Sequence, residues 1–340
     1  SRVAEKILEA MAEPYAFDGE ELFITASIGV ALHPADADSV EKLIECAELA
    51  MYRAKAEGRN AVQFYVSEQN PRRMAGLSME AKLRRAIERD ELLLNFQPKV
   101  DMTTGAITGA EALVRWRNPD LGLVSPADFI PLAEETGLIV PICALVLHSA
   151  CAQASAWHRL GYPITVAVNL SARQFRQNDL CGMIALMLAD TGLSARNLEL
   201  EITESMIMHR PEQTITTLQA LHDMGVTLSV DDFGTGYSSL AYLKRFPVHT
   251  LKVDQSFVRD LHQSDDDAAI VRAIIALGKS LNLKTVAEGV ETEQQRIFLA
   301  GLHCDEYQGY HFSKPLPAAG FMRLLDERGA AAIAAVETGS

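Results

Sequence analysis

The sequence predicts an α/β protein: a β/α (TIM-like) barrel preceded by a small α/β piece. Three observations carry this. From residue 78 onward, short apolar strands alternate with helical stretches, the pattern of a parallel sheet covered by helices. About eight such strands fall within roughly 250 residues, which suits a closed barrel. Several of them end on an acid or an amide immediately before a loop. An open doubly wound sheet is the alternative, weakened because no Gly-x-Gly-x-x-Gly follows the first strand.

The elements follow in order. Glu21 to Leu32 reads as a strand, and Asp38 with Glu41 as a capping box. Val40, Leu43, Ile44, Ala47, Met51 and Ala54 then lie at helical spacing up to Gly58. Val62 to Val66 is a short strand. This first piece spans 1–66, and 67–77, with Pro71 and Gly76, reads as a linker. The barrel is expected over 78–327, and the Ala-rich 328–340 as a frayed tail.

Within the barrel, Met79, Leu83, Ala86 and Ile87 mark a helix, Leu92 to Val100 a strand, and Ala106 to Trp116 its return. Ser125-Pro126 opens a helix that Gly137 stops, and Ile139 to Leu160 is a long, buried helix. The remaining strands are Ile164 to Asn169, Leu198 to Thr203, Val226 to Asp232, Thr250 to Asp254, Lys284 to Ala287 and a short one before Gln308. Helices separate them, and Phe321 to Arg328 closes the pattern.

The formal net charge of −14 argues against binding a nucleic-acid polymer through a basic surface. Five scattered cysteines without Cys-x-x-Cys read as reduced core thiols of a cytoplasmic protein. No His spacing suggests zinc. No uninterrupted apolar run is long enough for a bilayer, so no membrane contact is expected from this chain. It begins with Ser1 rather than Met, which leaves room for anchoring elements of a longer protein upstream.

Strand ends on one barrel face converge. Read in order they present Glu111, Asn169, Glu201, Asp231 with Asp232, Lys252 with Asp254, Glu288 and Gln308. The Asp231-Asp232 pair, followed by Gly234-Thr-Gly236, taken alone is a common strand-to-loop turn. As part of this set it calls for cations, because Lys252 and Arg115 are the only bases read at these ends. The chemistry suggested is hydrolysis of a phosphate ester assisted by two divalent ions about 3.5–4 Å apart. Glu111, Asn169 and Glu201 would ligate one ion, Asp232 and a second acid such as Asp254 the other, and Asp231 both. Lys252 would steady hydroxide or phosphate charge, and Glu288 would take the proton of the water. Arg115 shares a strand face with Glu111 and either pairs with it or contacts a phosphate or base.

These residues stand in motifs that resemble the EAL-domain phosphodiesterases. The motifs are Glu111-Ala-Leu-Val-Arg115, Asn169-Leu-Ser171, Glu201-Ile-Thr-Glu204, Asp231-Asp-Phe-Gly-Thr-Gly236, Leu251-Lys-Val-Asp254, Ala287-Glu-Gly-Val-Glu291 and Gln308-Gly-Tyr310. The resemblance implies hydrolysis of cyclic di-GMP to linear pGpG with two Mg2+ or Mn2+ ions, Ca2+ binding without turnover, and a homodimer formed through the barrel. It implies Glu111, Asn169, Glu201, Asp231, Asp232 and Asp254 as metal ligands, and Lys252 beside the nucleophilic water. Glu288 is implied as base or further metal-site acid, Gln308 as its support, and Gln97, Leu113 and Arg115 as dinucleotide contacts. Glu204 and Glu291 are implied to position the loop after Asp232. A non-hydrolysing receptor and an enolase-type lyase are the rivals, the first expected to lack some of these acids.

The N-terminal piece resembles the end of a GGDEF diguanylate cyclase domain, through Thr25-Ala-Ser-Ile-Gly-Val30, Ala50-Met-Tyr-Arg-Ala-Lys55 and Gly58-Arg-Asn60. The Gly-Gly-Asp/Glu-Glu-Phe signature is absent, so no cyclase activity is expected from this chain.

Overall fold

The structure, a computed structural model, describes residues 2–11, 15–17, 20–22, 25–56, 60–65, 71–176, 179–208, 211–235, 240–262 and 264–338. The chain divides into two compact units, Ser1–Ala81 and Lys82–Ser340.

In the first unit, the strands Ile28–Val30 and Val62–Phe64 pair in parallel, joined by the helix Val40–Ala56. The single strand expected from Glu21 to Leu32 is instead two, Glu20–Leu22 in an antiparallel hairpin with Tyr15–Phe17, and Ile28–Val30. The helix cap is Ser39, not Asp38: the Lys42 N–H donates to Ser39 Oγ at 3.3 Å. Its buried residues are Cys46, Ala50 and Ala54, while Val40 and Ile44 of the expected stripe are exposed. Small residues suit that face, because Gly29 lies against the Ala47 and Met51 backbone with no room for a Cβ. Gly58 and Val66 fall outside the described residues.

Residues 71–77, read as linker, begin the helix Pro71–Glu88. Proline is well placed at a helix start, where its missing N–H has no partner to lose, and one internal glycine costs only about 1 kcal/mol.

The second unit is a closed barrel. Its strands are β1 (Leu92–Asp101), β2 (Ile107–Asn118), β3 (Thr165–Asn169), β4 (Leu198–Thr203), β5 (Thr227–Phe233), β6 (Thr250–Val253), β7 (Lys284–Ala287) and β8 (Glu306–Tyr307). Neighbours pair in that order, and β8 pairs back to β1. Strands β2 to β8 run parallel, while β1 is antiparallel to both β2 and β8. The short turn between Asp101 and Ile107 forces that reversal, since a parallel neighbour needs a long crossover.

The helix Ile139–Arg159 is long and apolar enough for a membrane span by length and composition, although His148, Ser149, Gln153 and Ser155 interrupt its apolar run. Its buried residues include Ile142, Val146, Ala150, Ala154 and Trp157, spaced by three or four as for a core-facing stripe. Trp157 meets Phe96 of β1 and Phe321 of the last helix, each with ring centroids 4.8 Å apart. That last helix runs Ala318–Thr338, through the segment read as a tail. Alanine is the best helix former, so an Ala-rich stretch extends a helix already started.

Candidate active site

The strand register brings the strand-end residues to one height. Ala167 of β3 pairs with Glu111, Asn169 pairs with Glu201, and Glu201 pairs with Ser229 of β5. The Glu288 N–H donates to Val253 O at 3.1 Å and the Gln308 N–H to Ala287 O at 2.9 Å, continuing the ladder just past β7 and β8. The carboxyl-end convergence expected from the sequence is therefore present.

At its centre stands Lys252, fully buried. Its Nζ lies 2.6 Å from Glu201 Oε2, 2.6 Å from Glu288 Oε1, 3.2 Å from Asp231 Oδ1 and 3.9 Å from Glu111 Oε2. Removing an ammonium from water costs several kcal/mol, so only close acids make its burial tenable. One ammonium cannot offset four carboxylates. Burial, then the neighbouring Glu201 charge, pushes Glu111 up to about 7. Burial pushes Glu288 well above the usual carboxylate range, with Asp231 and Glu111 adding to it. Glu201 is the exception: Lys252 and Lys99 overcome its burial and pull it down to about 2.

Two amides brace Glu111. Asn169 Nδ2 donates to its Oε1 at 2.7 Å and Gln308 Nε2 to its Oε2 at 2.6 Å. Gln308 Nε2 also reaches Glu288 Oε1 at 3.2 Å. Both oxygens of Glu111 are thus occupied, and the Arg115 Nη1 donates to Val114 O at 2.8 Å. The salt bridge considered between Glu111 and Arg115 is not formed.

Adjacent residues of a regular strand face opposite sides. Asp231 and Asp232 escape this because β5 bulges. Val230 pairs with Leu251 but Phe233 with Val253, so both aspartates lie opposite Lys252. Asp232 adopts φ +54°, a left-handed conformation that Asp tolerates better than most residues, and its N–H donates to Asp231 Oδ1 at 3.0 Å. The bulge, rather than the glycine turn after it, turns the pair. Burial, then the charges of Asp231 and Asp254, pushes Asp232 up to about 6. Asp254 caps the helix Gln255–Arg259 by accepting the Ser256 N–H at 2.9 Å.

The loop after the bulge is tied from below. Gly234 N–H donates to Glu204 Oε2 at 2.9 Å, and Glu204 is buried. Gly234 has φ +98°, and a Cβ there would press on Ile274 and Phe257 at 3.1 Å. Gly236 lies outside the described residues. Glu291 is exposed, and its N–H donates to Gln295 Oε1 at 2.8 Å. Gln97 lies opposite Glu111, its Nε2 donating to Ser313 O at 3.5 Å. Leu113 and Arg115 are half-buried on the same strand.

Sequence reading missed Lys99. It is buried on β1, with Nζ 2.8 Å from Glu201 Oε1 and 2.9 Å from Glu199 Oε2. Burial alone would lower its pKa, but those two acids raise it. The signal was present, since Lys99 follows the inward-facing Gln97 by two positions and Glu199 precedes Glu201 by two. What hid it was the direction of β1, whose carboxyl end lies at the opposite face of the barrel.

The donor chemistry fits a hard divalent ion. The acids offer only oxygen, and they outnumber the buried lysines. Among the described residues no three His, Cys, Asp or Glu side chains are already disposed as a ligand set. Lys252 occupies the middle of the cluster.

The family profile for the EAL domain matches residues 80–315, and that for the diguanylate cyclase GGDEF domain matches residues 1–61. Among curated relatives, the bifunctional diguanylate cyclase/cyclic di-GMP phosphodiesterase MucR of Pseudomonas aeruginosa is 46% identical over 93% of this chain. The cyclic di-GMP phosphodiesterase NbdA of the same organism is 45% identical over 95%. The chain spans 46% and 41% of those two proteins' lengths. Among solved structures, the PaMucR phosphodiesterase in complex with c-di-GMP is 48% identical, with a TM-score of 0.71 over 72% of this chain and 99% of that one. The EAL enzyme Bd1971, bound to cAMP and cyclic di-GMP, is 30% identical, with a TM-score of 0.73 over 85% of this chain and 76% of that one.

Proposed function

The chain belongs to the EAL-domain family, and from that premise we propose that it hydrolyses cyclic di-GMP to linear pGpG with two Mg2+ or Mn2+ ions. The observation that carries the reading is the Lys252 cluster: Glu111, Glu201, Asp231 and Glu288 within 3.9 Å of one buried ammonium, at the carboxyl rim of the barrel. A non-hydrolysing receptor has no need of so costly an arrangement.

Glu111, Asn169, Glu201, Asp231, Asp232 and Asp254 would hold the ions, with Asp231 common to both. Bound there, the ions would polarise a phosphoryl oxygen and lower the pKa of a water. The chain's own groups do the rest. Glu288 takes the proton of the attacking water, and its burial, which holds it above the usual carboxylate range, makes it a stronger base than an exposed carboxylate. Lys252 stabilises the charge that grows on the phosphate oxygens. Water adds across one P–O bond of the cyclic diester, the ribose oxygen leaves, and the ring opens to a linear dinucleotide. Asn169 and Gln308 keep Glu111 in place. Gln97, Leu113 and Arg115 would meet the dinucleotide, and Glu204 and Glu291 would set the loop after Asp232. A homodimer through the barrel, and the division into a GGDEF-like piece at 1–66 and a barrel at 78–327, belong to the same proposal.

The test is incubation with cyclic di-GMP in Mg2+, Mn2+ or Ca2+, with products resolved by liquid chromatography and Asp231→Asn as control. Linear pGpG with Mg2+ or Mn2+, absent with Ca2+ and in the control, supports the reading. Tight binding without product would favour the receptor.

A further inference from the structure

We propose that Lys99 is a positioning residue for this reaction. From beneath the site it holds one oxygen of Glu201, so that Glu201 faces the reaction centre through its other oxygen. The inference rests on the reading above that Glu201 is a metal ligand.

The two oxygens of Glu201 are divided between two ammoniums. Lys99 Nζ is 2.8 Å from Oε1 and Lys252 Nζ is 2.6 Å from Oε2. Lys99 comes from the reversed strand β1 and reaches the cluster from the opposite face of the barrel. Gly109 lies directly across the strand pair from it, so no side chain from that position crowds the lysine stem. Glu199 anchors Lys99 at 2.9 Å and leaves its own Oε1 without a hydrogen-bond partner. Beneath them opens a polar cavity of about 210 Å³, lined also by Thr165, Thr227 and Thr250.

Stability alone does not call for this layer. The middle of a β/α barrel is ordinarily filled by branched apolar side chains, and replacing a buried ion pair with apolar residues is often neutral or stabilising. An ionic layer directly below the site makes sense if it acts on the site. A carboxylate held at one oxygen is restrained from rotating, and it presents its other oxygen to the site. Partners of metal ligands that act in this way change metal affinity or activity by about 10–100-fold when removed.

The experiment titrates the full chain with Mn2+ alone, following the loss of the free-ion EPR signal, and measures kcat and KM with cyclic di-GMP. The variants are Lys99→Met, Lys99→Met with Glu199→Gln, and Lys99→Arg. The single Met variant strands Glu199 and leaves Glu201 with Lys252 alone, and is expected to melt early. The double variant removes one charge of each sign, so its thermal midpoint is expected to recover. It should nevertheless bind Mn2+ about 10–100-fold more weakly, with kcat falling more than KM changes. Lys99→Arg, which keeps a cation, should restore part of the affinity. A folded double variant that binds Mn2+ as tightly as the parent would overturn the inference, and one that does not fold would assign Lys99 to the fold instead. A parent that binds no Mn2+ would defeat the metal reading itself, and this inference with it.

Discussion

Glu204 and Gly234 are joined by a hydrogen bond from the Gly234 N–H to Glu204 Oε2, at 2.9 Å. Glu204 follows β4 at the start of a short helix, and Gly234 follows the bulge of β5 that turns Asp231 and Asp232. The bond therefore clamps the bulge from the neighbouring strand. A hydrogen bond to a charged group is worth about 1.5–3 kcal/mol. Glu204→Ala is expected to lower kcat by about 10–100-fold, with far-UV circular dichroism unchanged. An unaltered kcat would show that the bulge holds without its clamp.

Lys252→Met should be destabilising as well as inactive. It leaves Glu111, Glu201, Asp231 and Glu288 facing one another without their shared ammonium. Breaking a buried ionic cluster from one side costs about 3–5 kcal/mol. Protonation relieves part of that, so denaturant unfolding should show a larger loss at pH 8 than at pH 6.

The metal-free protein should lose stability as pH rises. Glu111 titrates at about 7 and Asp232 at about 6 in the fold, against about 4.3 and 3.9 in an unfolded chain. Both carboxyls bind protons more tightly when folded. Their penalty is absent below about pH 4, grows as pH rises and is nearly complete by about pH 8. Divalent ions compete for the same oxygens, so Mg2+ or Mn2+ should raise the thermal midpoint more at pH 8 than at pH 6. Equal shifts at the two pH values would mean that the ions bind elsewhere.

Trp157→Ala should destabilise the barrel by about 3–5 kcal/mol. Trp157 is buried between Phe96 and Phe321, and so ties the reversed strand and the closing helix to the helix Ile139–Arg159. Chemical denaturation would check this, and a loss below 1 kcal/mol would contradict the packing argument.

Periodicity made most of the barrel readable. Strand-end residues were found because an apolar run that stops on an acid or amide is visible in one dimension. Helix starts such as Ser125-Pro126 were visible for similar local reasons. The missed features have other causes. Ile28–Val30 is set apart by its parallel pairing with Val62–Phe64, far along the chain, while Glu20–Leu22 pairs locally with Tyr15–Phe17. The helical start at Pro71 looked like a linker because proline and glycine mark both loops and helix ends.

Local patterns along the chain are enough to place the alternation of strands and helices, and the identities and order of the acids, amides and lysine brought to one rim. How those residues meet follows from long-range strand pairing. The closure of β8 onto a reversed β1 carries Lys99 beneath Glu201. The one-residue slip between β5 and β6 turns two adjacent aspartates to the same side. Both depend on which strands become neighbours and in what register, and that is settled by pairing across the barrel rather than by any local stretch of chain.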